Sequence, residues 1–146
     1  MAYTARFSET WYPLAVIHAD SLSGEQNSGY VSLANYHRAV ILIDVGDMAA
    51  SATLDCQIEQ ATTTAGASPK DITGKAITQL TQAGGDSDQL ICIEVTTEEL
   101  DVDNGFDCIN VEMTGAAAAT EYSVWVLGDC SRYKPVPTTN WEEIVT

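Results

Sequence analysis

The chain is short of positive charge. Six Lys and Arg stand against 21 Asp and Glu in 146 residues, giving a formal net charge of −15 and an isoelectric point near 4.1. Six scattered cations cannot neutralise a run of phosphates, which excludes a wrapped nucleic-acid binder. An anionic membrane surface would repel the chain. No apolar stretch approaches the roughly 18 residues of a helical membrane span. Leu14–Ala19 is too short and wrongly flanked for a signal-peptide core, so the cytoplasm of the producing cell is the expected compartment. The four cysteines, Cys56, Cys92, Cys108 and Cys130, form no CxxC and no zinc-knuckle spacing. They read as free thiols that pack as small hydrophobes. His18 and His37 have no HxxxH or HxH partner, there is no GxSxG, and Gly84-Gly85-Asp86 lacks the Lys-Ser/Thr of a phosphate cradle. Neither a catalytic site nor a cofactor is expected, and the chain reads as a non-enzyme.

What is present is β patterning. Arg38–Val45 is a continuous apolar run closed by Gly46, as in a buried central strand. Thr53–Gln60 alternates, with Leu54, Cys56 and Ile58 on one face and Asp55, Gln57 and Glu59 on the other. Asp71–Ala83 suits a strand better than a helix because of Gly74 and its β-branched residues. Gln89–Thr97 presents Ile91, Ile93 and Val95 on one face, and Phe106–Thr114 presents Ile109, Val111 and Met113. Gly115 is expected to end that run. Glu121–Leu127 is the last strong strand, with Trp125 mid-strand and expected in the core. Thr97–Leu100 reads as one helical turn capped by Thr97. Short strands separated by turn signals, without strand–helix alternation, predict an all-β antiparallel sandwich or barrel-like domain.

The ends read differently. Residues 1–35 are irregular, with the loop-like Ser21–Gly29 and six aromatics among residues 3–36. The expected organisation is an extended N-terminal arm over 1–35, a β-sandwich core over 36–131 and an extended C-terminal arm over 132–146. So many aromatics are not expected in a solvated tail. Tyr3, Phe7, Trp11, Tyr12 and Trp141 are the candidate partner-interface residues, since buried aromatics dominate interface energetics.

The acidic segment Glu94–Glu112 invites a calcium-loop reading. Asp101, Asp103 and Glu112 fall at positions one, three and twelve, but the glycine needed at six is replaced by Phe106. A solvated acidic turn fits better than a site built by Asp101, Asp103 and Asp107.

Four pieces carry a family likeness: YHRAVILIDVGDM (Tyr36–Met48), DITGKAITQLT (Asp71–Thr81), EELDVDNGFDCINVEMT (Glu98–Thr114) and VLGDCSRYKPV (Val126–Val136). In pattern and order they resemble small virion proteins encoded in the structural-gene region of tailed bacteriophages and prophages. The resemblance covers about residues 36–136 and brings no catalytic motif. It implies a capsid decoration (cement) protein on the head exterior, made in the bacterial cytoplasm. Its implied partners are the major capsid protein and copies of itself in a symmetric assembly. A head–tail connector or tail component is the neighbouring expectation. A carbohydrate-binding β-sandwich module is the expectation from another class.

Overall fold

The computed structural model describes residues 5–129, 131–132 and 138–145. It is all-β: one antiparallel sheet that curls until it is nearly closed, as the alternation predicts. After a single helical turn, α1 (Phe7–Thr10), come β1 (Tyr12–Asn27), β2 (Val31–Ser32), β3 (Arg38–Met48) and β4 (Thr53–Ala61). They are followed by β5 (Lys70–Ala76), β6 (Leu80–Thr81), β7 (Gln89–Thr96) and β8 (Cys108–Asp129). A short 3₁₀ turn, Thr97–Glu99, follows β7, and its N-cap is Thr96 instead of the expected Thr97.

The organising element is β8, 22 residues long. One edge of it carries β1 and then β2, from Tyr12 opposite Gly128 to Ser32 opposite Cys108. The other edge carries β3 and then β4, from Arg38 opposite Asp129 to Ala61 opposite Cys108. β7 completes the outside of β3, and β5 and β6 the outside of β4. β1 has three register shifts, and the last, between Leu22 and Gly24, lies level with the break beyond Val45 in β3. Ala117 of β8 stands there at φ 65°, and Ser51, between β3 and β4, at φ 70°. Bulges bend the strand that carries them. Aligned bends in neighbouring strands fold the sheet over on itself, so its two halves pack face to face.

One apolar core fills the fold. Ile41, Ile43, Val45, Val124 and Val126 come from the first half-sheet and Leu54, Ile58, Val111 and Met113 from the second. Every one of these, and Ile109 with them, is fully buried, as the alternation of each strand requires. Tyr122 is 2% exposed, and its hydroxyl has no hydrogen-bond partner among the described residues. Burial raises its phenol to about 12, with a smaller contribution from Cys56 of the opposite half. A buried unpaired hydroxyl is a net loss to stability. Tyr122→Phe is therefore expected to stabilise the fold by about 1 kcal/mol, or roughly 2–4 °C in Tm. Thermal unfolding followed by circular dichroism checks this; a lowered Tm would contradict it.

Four sequence expectations change. The boundary at residue 36 moves: Tyr12–Asn27, placed in the arm, is strand β1, and the loop-like Ser21–Asn27 belongs to it. Polar composition misleads here because an edge strand with a wet face needs few apolar residues. Gly115 does not end its run but passes through β8 beside Ser23 and Gly24. Asp71–Ala83 is a strand only over Lys70–Ala76, with the short β6 after it. Trp125 is 46% exposed, on the face opposite Val124 and Val126. Tyr3 and Cys130 lie outside the described residues. Cys56 and Cys108 are buried free thiols, pushed up to about 12 chiefly by burial, whereas Cys92 is exposed.

Candidate functional site

Because successive residues alternate between faces, each half-sheet has an outer face, and the two differ in chemistry. On the first half, register aligns Val16, Trp125, Leu42 and Cys92 across β1, β8, β3 and β7. The next outward row holds Ser123, Asp44 and Leu90. Trp125, Val16 and Leu90 are 46%, 36% and 75% exposed. An apolar stripe that crosses four strands marks an interaction surface more than scattered single hydrophobics do.

At one end this stripe meets the two chain ends. Arg6 N–H donates to Glu9 Oε2 at 2.9 Å and closes the turn of α1. That turn sets Phe7 against Trp11 in a stack, with centroids 5.8 Å apart. Trp141 meets Phe7 edge-on at 6.2 Å. The C-terminal segment is tied down by Asn140 Nδ2, which donates to Pro13 O at 2.8 Å, and by a 3.0 Å contact between Tyr12 OH and Thr139 Oγ1. Tyr12 in turn stacks on the buried Tyr36 at 6.2 Å. Trp141 separates two open hollows. One, of about 450 Å³, lies between Phe7 and Val145. The other, of about 380 Å³, contains Val16, His18, Ser123 and Trp125. The structure thus brings together four of the five residues expected at an interface, Phe7, Trp11, Tyr12 and Trp141. It adds Trp125, whose outward direction is legible in the valines on either side of it.

The outer face of the second half-sheet is acidic. Glu25 and Asp55 flank Thr114, and Glu112 lies between Gln57 and Asn27. Glu59 lies opposite Asn110 on one side and Asp71 on the other. Asn110 is 2% exposed but satisfied: its Nδ2 donates to Asn27 Oδ1 at 2.6 Å and to Glu59 Oε2 at 3.0 Å. Tyr30 OH donates to the same Glu59 oxygen at 2.7 Å, and partial burial beside that carboxylate raises its phenol. The Tyr30 ring lies on Gly66, where an added Cβ would stand 2.7 Å from it. Glu112 is raised, first by desolvation and then by Glu59, Glu25 and Asp71.

The raised Glu112 fixes a sign. Below its folded value Glu112 takes up a proton before the unfolded chain does at 4.5, so its share of stability grows as pH falls through that window. At neutral pH the charge is a small penalty. Glu112→Gln is expected to stabilise the fold by about 0.5 kcal/mol at pH 7, the scale of opposed like charges on a sheet. The gain should shrink towards pH 4, as measured by urea unfolding. An equal gain at both pH values would contradict the assignment.

Of the candidate cation ligands, Asp101 and Asp107 have other partners: Asp107 accepts from Ser32 Oγ at 3.3 Å. Asp101 pairs with Lys70 and accepts from Asn104 Nδ2 at 2.8 Å, and these contacts, Lys70 first, hold its carboxyl below the usual range. Among the described residues no group of three His, Cys, Asp or Glu side chains is placed to hold a metal ion. No helix among them is long and apolar enough to cross a membrane. Comparison with known families, curated proteins and solved structures finds no match to this chain.

Proposed function

We propose that the chain is a non-enzymatic structural protein of a tailed-phage particle, a decoration protein on the head exterior. It docks through the Trp125 stripe and the Phe7–Trp11–Trp141 corner, and turns its acidic face to solvent. The observation that carries this reading is the difference between the two outer faces: the apolar row Val16, Trp125, Leu42 and Cys92 crosses one half-sheet, with Asp44 and Glu94 beside it, while Glu25, Asp55, Glu59 and Glu112 cluster on the other. A protein that coats a shell needs one face to bury and one to keep the assembly soluble, and a net charge of −15 serves the second purpose. Copies related by the shell's symmetry would each present the same docking face to the same partner surface. The test is the copy number of this polypeptide in purified particles, by quantitative mass spectrometry. One copy per major capsid subunit, or a simple fraction of it, is expected. Six or twelve copies would move the chain to the head–tail axis or tail, and absence from particles would overturn the proposal.

A second reading has its own observation. The hollow beside Trp125 combines a flat exposed indole with His18 and Ser123, the mixture of an apolar plate and polar groups that a sugar ring would use. Saccharide binding by the isolated protein, with quenching of Trp125 fluorescence, would favour a glycan-binding module.

A further inference from the structure

Among the described residues β1 and β7 each pair with a strand on one side only, and their outer edges are built differently. Along β1 the edge is broken by Pro13 and by three register shifts, and it carries Asp20 and Glu25. These are the devices that blunt an edge against pairing with another chain. β7 carries one such charge, Glu94, and Lys75 of β5 lies on its carbonyl. The strand has no proline or glycine and runs opposite β3 through eight consecutive register pairs without a shift. Among the described residues β7 pairs with β3 alone.

The direction of its free groups follows from two contacts. Thr97 N–H donates to His37 O at 3.0 Å, so the odd-numbered residues of β7 face β3. Lys75 Nζ donates to Glu94 O at 2.6 Å from outside, so the even-numbered residues face away. Leu90 and Cys92 therefore present their N–H and C=O groups to the open edge. Glu94 O keeps a second lone pair beyond the one Lys75 uses.

We infer that two copies of this chain pair antiparallel through β7, about a two-fold axis at Cys92. Charge and the extent of β7 select that register. Centred on Ile91, Glu94 would meet the partner's Asp88, the residue just before β7; centred on Ile93, Gln89 would meet the partner's Thr97, already in the 3₁₀ turn. Centred on Cys92, Glu94 meets the partner's Leu90 and the paired residues stay within β7. Directly opposed like charges are destabilising. The same register sets Ile91 against the partner's Ile93 on the inner face, where both are only partly buried in the single chain. On the outer face it joins two apolar stripes end to end, each running Val16, Trp125, Leu42, Cys92. The dimer extends the docking surface proposed above but does not rest on it, since it is measured on the isolated protein.

The test uses the full chain carrying Cys130→Ser, at micromolar to 100 μM concentration in 0.3 M salt, where repulsion between acidic copies is screened. Sedimentation equilibrium should give twice the 15.6 kDa chain mass. Diamide takes up the two thiol hydrogens and is reduced to its hydrazine while one S–S bond forms between copies. It should yield a covalent dimer that Cys92→Ser does not give. Cys92→Pro removes an N–H that β3 does not use, and should weaken dimerisation at least tenfold with the circular dichroism spectrum unchanged. Leu90→Lys, on the same edge and 75% exposed, should weaken it independently. A monomer at 100 μM would overturn the inference. So would a dimer indifferent to both Cys92→Pro and Leu90→Lys.

Discussion

Trp125→Asp is expected to abolish incorporation into particles, lowering affinity for the shell by about 100-fold or more while the domain stays folded. Central aromatic anchors of interfaces lose roughly 2–4 kcal/mol or more on truncation, and a buried unpaired carboxylate at the same place adds its desolvation penalty. In the free protein the position is forgiving. The indole is 46% exposed on the outer face, and the inward neighbours Val124 and Val126 at 0% exposure hold the strand. The control lies on the opposite face: Glu112→Gln should leave incorporation unchanged. Binding assays on particles lacking the chain, with the Tm of each variant measured in parallel, separate a docking defect from unfolding. Undiminished binding of a folded Trp125→Asp variant would remove the stripe from the interface.

Gly128→Ala is expected to be the most damaging single methyl group. Gly128 sits between Tyr12 and Ala39 in the middle of the sheet, and its backbone conformation is an ordinary extended one. Space is what requires the glycine. A Cβ there would stand 2.6–2.9 Å from Cδ1, Cε1 and Cγ of Tyr36. That ring is 6% exposed and stacked on Tyr12, so it cannot swing aside without opening the joint between the chain ends and the sheet. Overpacking of this kind costs about 1–3 kcal/mol, and a loss near the upper end, about 5–10 °C in Tm, is expected. In a double-mutant cycle with Tyr36→Ala the two losses should be strongly less than additive. Additive losses would show that the ring is not what the methyl group meets.

The strands of the core were legible because each announces its own inward face. Leu54, Cys56 and Ile58, and likewise Ile109, Val111 and Met113, alternate with polar residues and are buried as that period requires. Trp125 follows the same rule. Read by alternation with Val124 and Val126 it points outward; read by its bulk it looks like core. The edge strand β1 was hidden because its apolar residues, Leu14, Ala15, Ile17 and Leu22, pack on the core without regular alternation across its register shifts, and Ser23–Asn27 is polar. The continuity of β8 through Gly115 was hidden too. A glycine in a strand signals either an end or a bend, and only the neighbouring breaks at Leu22 and Val45 show that all three strands bend together. The meeting of Phe7, Trp11 and Trp141 joins the two ends of the chain, a pairing that no local pattern encodes. The apolar and acidic outer faces follow from register: no single strand displays the Val16–Trp125–Leu42–Cys92 row.

The orientation of the chain on the particle tests the central claim most directly. In an electron cryomicroscopy reconstruction of decorated heads, the half-sheet bearing Trp125, Leu42 and Val16 should lie against the shell, with Phe7 and Trp141 at the contact. Glu25, Asp55, Glu59 and Glu112 should face solvent. A chain seated on its acidic face, or heads that carry no density for it, would contradict the assignment of the two faces.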